Sequence, residues 1–387
     1  MKIRDIVRVL DELAPPSMAM EGDNVGLLVG DAGAPLKRAV LCIDLTAAVL
    51  DEATAAKAQV IVAYHPVIYK PLMRLTAEAT PIAYEAARRG FAVYSPHTAL
   101  DAAPGGTNDA LAALMGATDC RPLEPLIRRD QRKIVVFAPA EDLARVGQAA
   151  FAAGAGRIGN YYDCAFFGHG VGTFCGGEGT RPTVGRVGSH QAGEETRLEV
   201  IAPASRVEAV CRAIREAHSY ETPAIDVYPL EESPAGAGMG RVGELPRPTP
   251  EAALIARVKK AAGVRRVLLT RGGGSGGRED LRSRKGLVDR KRLGNPTRLV
   301  KTVACCAGSC GSLYRRAIAA GATFYLTGEM RHHDQVASAA AGMSVVCIGH
   351  AESERPVLAV LAGRLRQELP ALWLRPVGGA RGIVEIL

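Results

Sequence analysis

The chain has 387 residues, of which 48% are hydrophobic and 23% charged, with a formal net charge of +8. That composition fills a sizeable core, excludes a disordered chain and predicts two or three folded units. No stretch approaches the roughly 18 consecutive apolar residues of a spanning helix, so a membrane-embedded protein is excluded and a cytoplasmic one expected.

The opening run MKIRDIVRVLDELAPP places Ile3, Ile6, Val7, Leu10 and Leu13 on one helical face with charges between them. It reads as a surface helix stopped by Pro15 and Pro16, not as a targeting segment. In EGDNVG, Asp23 and Asn24 read as turn-capping residues. KRAVLCIDL then reads as a strand, TAAVLDEATAAKA as a helix, QVIVAYHP as a strand and TPIAYEAARRG as a helix. FAVYSPH is a strand and TNDALAALMG a helix. Strands alternating with helices predict a parallel α/β sheet.

The middle differs. RKIVVFAPAEDLARVGQAAFAAGAGRIG reads as strand and helix, followed by a glycine-rich, β-prone stretch to about Gly193. TRLEVIAPASRVEAVCRAIREAHSYETPAIDVYPL reads as strand, helix and strand. Two such halves predict an inserted ferredoxin-like α+β domain at residues 128–232, flanked by interleaved halves 1–127 and 233–387 of one α/β domain. SPAGAGMGRVGELPRPTP looks like a return linker. The last portion alternates again: TRLVKTVACCAG, ATFYLTG and MSVVCIGH as strands, SLYRRAIAAG and DQVASAAAG as helices, and ERPVLAVLAGRLRQELP as a long helix.

Charge is concentrated. Residues 271–301 hold ten Lys/Arg and three acids, or +7, leaving about +1 for the rest of the chain. A basic loop attracts nucleic acid or acidic ligands. No aromatic residue is interleaved with these charges, so a solvated loop is the favoured reading. The nine cysteines show no paired zinc-type spacing and read as reduced, mostly buried thiols.

Three of the eight histidines follow directly on predicted strands: His65, His97 and His350. Such strand ends border the ligand crevice of open α/β sheets. His97 is followed four residues later by Asp101, and His350 by Glu354, which sets each pair on one helical face. Imidazole and carboxylate suit Mn, Fe, Zn, Co or Mg. Five such ligands suit two divalent ions, an arrangement that polarises a substrate oxygen and produces a nucleophile from water near neutral pH. Glu329, His332 and His333, in TGEMRHHD, are candidates to orient ligands or carry protons. AGSCGS at 307–312 could cradle a phosphate or serve only as a tight turn. His169 and His218 read as core or turn residues.

The blocks YHPVIYKPLMRLT, YSPHTALDAAPGGTNDALA, FYLTGEMRHHDQVASAAAGM and IGHAESE resemble the signatures of the NIF-three-like dinuclear metal-centre family, also catalogued as GTP cyclohydrolase I type 2 homologues. EGDNVGLLVGD resembles its N-terminal block. RIGNYYDCAFFGHGVGTF and AIREAHSYETPAIDVYPL resemble the PII- or CutA-like insert of longer members. The resemblance implies two divalent metal ions held by His65, His97, Asp101, His350 and Glu354, and a homo-oligomer, commonly a hexamer. Tyr64 stands where many bacterial members have a histidine, as in the eukaryotic-type branch. The function implied is a metal-dependent hydrolase of a nucleotide-like substrate, with Glu329 or His333 as proton carriers. The alternatives are a metal-binding, delivery or regulatory protein with the insert as sensor, or an interaction protein using the basic segment.

Overall fold

The structure is a computed structural model and describes residues 1–183, 185–232, 234–273, 298–309 and 313–377. The chain divides into two compact units, one made of Met1–Leu126 and Ala235–Leu387, the other of Ile127–Pro234. Residues 274–297 of the basic segment 271–301 lie outside the described residues, as does the second half of the AGSCGS turn.

The two-segment unit is mixed α/β and holds two main sheets. The first has five strands in the order Gly26–Val29, Ala92–Ser95, Val60–Ala63, Arg38–Cys42 and Trp373–Pro376. All neighbours run parallel except the first pair. Val60–Ala63 is buried at every position, as expected of a parallel strand covered on both faces. The C-terminal strand Trp373–Pro376 completes a sheet otherwise built by the N-terminal segment, so the two segments are interleaved.

The second sheet has six strands: Leu268–Thr270, Ser344–Cys347, Phe324–Glu329, Leu299–Ser309, Arg241–Pro250 and Thr118–Arg121. Its three central strands are parallel and its flanking strands antiparallel. One sequence expectation changes here. GRVGELPRPTP reads as linker because of its prolines, yet Arg241–Pro250 is a strand paired with Leu299–Ser309. Its register shifts between Glu244 and Thr249, so Pro246 and Pro248 fall within the irregularity rather than in a regular ladder.

The helices follow their apolar spacing. Ile3–Leu13 buries Ile3, Ile6, Val9 and Leu10, and its first turn is closed by the Asp5 carboxylate accepting from the Lys2 N–H at 2.7 Å. Thr46 caps Ala47–Ala55 by accepting from the Val49 N–H at 3.3 Å. Thr107–Met115 and Pro356–Glu368 bury leucines and alanines and pack on one another. Among the described residues no helix is long and apolar enough to cross a membrane.

The Ile127–Pro234 unit has the element order strand, helix, strand, strand, helix, strand. Its sheet is antiparallel throughout, in the order Ile225–Glu232, Arg128–Ala138, His190–Pro203, Ala165–Cys175. Helices Leu143–Ala152 and Val207–Ala217 cover one face, where Ile134, Val136, Leu198 and Val200 pack with Val146, Ala150, Val210 and Ile214.

Candidate metal centre

The centre forms at strand ends of the two-segment unit. His65 lies two residues beyond Val60–Ala63, and its backbone N–H donates to the Ile43 carbonyl at 3.0 Å. That bond continues the parallel register and brings Asp44 alongside. His97 opens the short helix His97–Ala102 with φ +29°, outside the regions a side-chain-bearing residue prefers. His350 opens His350–Glu354 after Gly349, whose φ of +104° suits glycine.

Each histidine has one ring nitrogen held by a carboxylate. Nδ1 of His65 lies 2.8 Å from Asp44, Nδ1 of His97 2.8 Å from Asp23, and Nδ1 of His350 2.9 Å from Glu329. A carboxylate accepts, so these contacts place an N–H on Nδ1 and make Nε2 the nitrogen that would offer a lone pair to a metal. Two of those Nε2 atoms converge on one carboxylate: His350 Nε2 is 3.1 Å from Glu354 Oε1 and His65 Nε2 is 3.3 Å from Oε2. One ligand atom from each of these three residues lies within 4.8 Å of the others, a spacing that could hold an ion. The His97 ring stands 5.5 Å from that of His65, and so does the His350 ring.

Asp101 completes the group from the far side. It is 8% exposed and accepts a short hydrogen bond from the hydroxyl of Tyr64, itself 1% exposed. Burial drives the Tyr64 phenol well above its ordinary range, so it is a neutral donor here rather than a phenolate. Burial also raises Asp101, to about 6, with the Glu354 charge adding to the rise.

The other shifts report opposed effects. For His65, burial acts downward, but hydrogen bonds and charges from Asp44 and Glu354 outweigh it and raise the group to about 10. The hydrogen bond to Glu354 lifts His350 to about 9 against the pull of burial. Burial acts to raise Glu354, and the two histidines more than reverse it. His65 holds Asp44 below the usual carboxylate range. Asp23 also lies low, because hydrogen bonds from Thr98 and His97 overcome burial.

Two buried side chains lock the geometry. Asn108, fully buried, donates to the Asp101 carbonyl and accepts from the Ala307 N–H, both at 3.0 Å. It therefore ties the His97–Asp101 side to the strand end beside Glu354. Ser353 accepts from the Gly308 N–H at 2.8 Å and donates to the His350 carbonyl at 2.7 Å.

The donor set fits a divalent ion. Glu354 Oε2 is buried without a hydrogen bond of good geometry, and an unsatisfied buried carboxylate oxygen is costly unless a cation approaches it. A Cβ added at Gly308, where φ is +63°, would sit 2.7 Å from Glu354 Oε1 and 3.4 Å from the His350 ring. The space beside these ligands is kept clear of side chain.

The structure thus brings His65, His97, Asp101, His350 and Glu354 into one cluster, three of them at mutual ligand spacing. Glu329 is there too, against His350. His333 lies exposed in the first turn of His332–Ala340, its ring 5.6 Å from that of His332. Asp23, read from sequence as a cap, holds the His97 ring. Asp44 was missed, although it follows a strand as His65 does and the same strand-end reasoning reaches it.

The fold and this cluster define a mixed α/β protein with a candidate histidine–carboxylate metal centre at its strand ends. The model of the Duf34/NIF3 (NGG1p interacting factor 3) family matches residues 1–376, and the chain belongs to that family. It is 32% identical over 380 residues to the GTP cyclohydrolase 1 type 2 homolog of Mycobacterium tuberculosis, covering 96% of this chain and 93% of that protein. The Bacillus subtilis protein of the same name is 32% identical over 349 residues, 90% and 87% of the two chains. A Bacillus cereus protein related to NIF3 shares the fold at 29% identity and TM-score 0.64, over 100% of this chain and 99% of that one. A Staphylococcus aureus protein, 21% identical over 100% and 99% of the chains with TM-score 0.75, adds support for the fold alone.

Proposed function

We propose that the chain is a metal-dependent hydrolase whose two divalent ions would be held by His65, His350, His97, Asp101 and Glu354. The observation that carries this reading is the triple pairing of Nδ1 with a carboxylate, which turns the Nε2 atoms of His65 and His350 onto one buried carboxylate. Core packing gives no reason for three such pairs to meet at one place. Charge supports it as well. Asp23, Asp44, Asp101, Glu329 and Glu354 carry five formal negative charges around three histidines, a field that favours dications.

Bound ions would polarise a substrate oxygen and make water nucleophilic near neutral pH. The protein's own groups do the rest. Asp23, Asp44 and Glu329 fix ring orientation and tautomer. Tyr64 holds Asp101 by donating to it. Glu329 is the favoured proton carrier over His333: it hydrogen-bonds His350, and its side chain remains 59% exposed to exchange protons with solvent. The names of the curated relatives favour a nucleotide-like substrate such as GTP. The Ile127–Pro234 unit is read as ferredoxin-like, because its sheet order is fourth, first, third, second strand of a βαββαβ chain.

The test is metal content per chain by plasma mass spectrometry, with nucleotide turnover, on wild type and Glu354→Ala side by side. Close to two ions in wild type, a sharp fall in the variant and loss of turnover are expected. Tight metal without turnover of any nucleotide would shift the reading to a metal-binding or delivery protein. Metal-free wild type would overturn the site.

A further inference from the structure

One face of the Ile127–Pro234 sheet is covered by its helices. At one end of the other face lies a cavity of about 630 Å³, lined wholly by residues of this unit. That volume is in the range of small-molecule sites. None of its lining residues belongs to the histidine–carboxylate cluster, so it is a separate place.

Its floor is the strand Ala165–Cys175, where Gly168, Gly170 and Gly172 alternate and therefore face the same way. A Cβ built at Gly170 meets nothing within 4 Å, and one at Gly168 meets only the Phe166 ring, at 3.5 Å. At Gly172 it would strike the Glu195 carboxylate at 2.0 Å, so this glycine makes room for Glu195 to lie over the strand. Glycines inside a strand weaken it. Here Gly168 and Gly170 leave a flat strip of backbone with open space above it, ended by the Glu195 carboxylate over Gly172.

The walls are aromatic and charge-balanced. Phe137 and Tyr220 present ring surface. The Arg197 guanidinium lies 5.7 Å from the Phe137 ring centre and is paired with Glu199 at 2.8 Å, so its charge is already answered within the protein. Burial raises the Tyr220 phenol and the Glu195 charge adds to the rise; Glu195 keeps lone pairs for a ligand. The loop Gly176–Thr183 is tied down over one side: the Arg181 N–H donates to Glu221 at 3.3 Å and the Thr183 hydroxyl to the Ser219 carbonyl at 3.4 Å.

A flat floor and ring-faced walls suit a planar ring, which stacks with little dependence on its substituents. A carboxylate on the wall accepts from adjacent N–H donors. A polyphosphate would require an excess of cations, and Glu195 and Glu221 match the two arginines of the lining one for one. We propose that this cavity binds an uncharged, planar heterocycle of nucleoside size, ring laid along Gly168 and Gly170, with a guanine-type N–H edge read by Glu195 beyond it.

The probe is guanosine, titrated by calorimetry and saturation-transfer NMR against the full chain, with inosine and GTP as comparators. Guanosine should bind, and inosine, which lacks the exocyclic amine, at least about tenfold more weakly; in Glu354→Ala, where the metal centre is disabled, GTP should bind no tighter than guanosine. Gly170→Leu sends a side chain into the open space from a Cβ that meets no atom within 4 Å; it should keep the wild-type melting temperature and lose guanosine binding. Glu195→Gln is the second variant and should erase the preference for guanosine over inosine. Glu354→Ala should leave guanosine binding unchanged, even if the metal reading fails. Absence of guanosine binding in wild type, undiminished binding in folded Gly170→Leu, loss in Glu354→Ala, or GTP binding tenfold tighter than guanosine in Glu354→Ala would each overturn the proposal.

Discussion

At the scale of the residue, the protons of the cluster are the variable to follow. His65 and His350 are raised to about 10 and about 9 without metal, so both are protonated at neutral pH. A metal ligand must offer a lone pair. Loading the metal-free protein at pH 7 should therefore release close to two protons per chain, read by calorimetry in buffers of different ionisation enthalpy; release of none would show that these rings are not ligands. The sign for stability follows. Both groups lie above their unfolded value near 6.5, so the stability they confer without metal is complete below that pH and is lost as pH rises through about 9 and 10. The melting temperature of metal-free protein should fall over that window. The five proposed ligands were legible in the sequence because strand ends and i,i+4 spacing are local signals. Of their carboxylate partners, Glu329 reads from sequence as a candidate to orient a ligand, whereas Asp23 reads as a cap and Asp44 was missed. Asp23 lies 74 residues from His97, and nothing local in the chain marks that pairing.

At the scale of the element, the turn that follows His97–Ala102 is held by Arg241, a buried arginine 2% exposed. Its guanidinium bonds both Asp109 oxygens at 2.8 Å, the carbonyls of Gly238 and Gly240 at 2.7 Å and that of Ala103 at 3.3 Å. Asp109 in turn accepts from the Gly105 N–H at 2.6 Å. Removing a buried partner strands the remainder, at a cost of about 3–5 kcal/mol. Arg241→Leu should lower unfolding free energy by about that amount in denaturant titration, and the occupancy of an ion that depends on His97 and Asp101 should fall with it. A change below about 1 kcal/mol would show that the clamp is dispensable. Lysine should not substitute well, since its point charge cannot reach these acceptors as a planar fork does. This element was not legible. Arg241 stands in a glycine- and proline-rich run, and its partner Asp109 lies 132 residues earlier. By contrast, the parallel strands were readable because burial on both faces writes continuous apolar runs such as VIVA.

At the scale of the whole molecule, the chain leaves one unit at Leu126 and returns to it at Ala235. Its apolar alternation marks the intervening strands and helices, but the place where the chain rejoins is set by a two-strand pairing too short to carry a pattern. Gly238 opposes Pro125 and Met239 opposes Glu124, while the Leu126 N–H donates to the Ala237 carbonyl at 3.0 Å. The exit and return are therefore adjacent within one small ladder. Between paired Leu126 and Ala237 only Ala235 and Gly236 would remain if residues 127–234 were removed, which is the length of a tight hairpin loop. Gly236 already has φ +72°, the backbone such loops require. The residues of the candidate metal centre all lie in the two-segment unit, and so do its core clusters. A chain lacking residues 127–234, joined directly or through a Gly-Ser spacer, should thus fold cooperatively and keep the metal content of the full protein. Cooperative melting with metal lost would place part of the centre's support in the excised unit; aggregation of both joined forms would show that the interleaved segments cannot assemble without it.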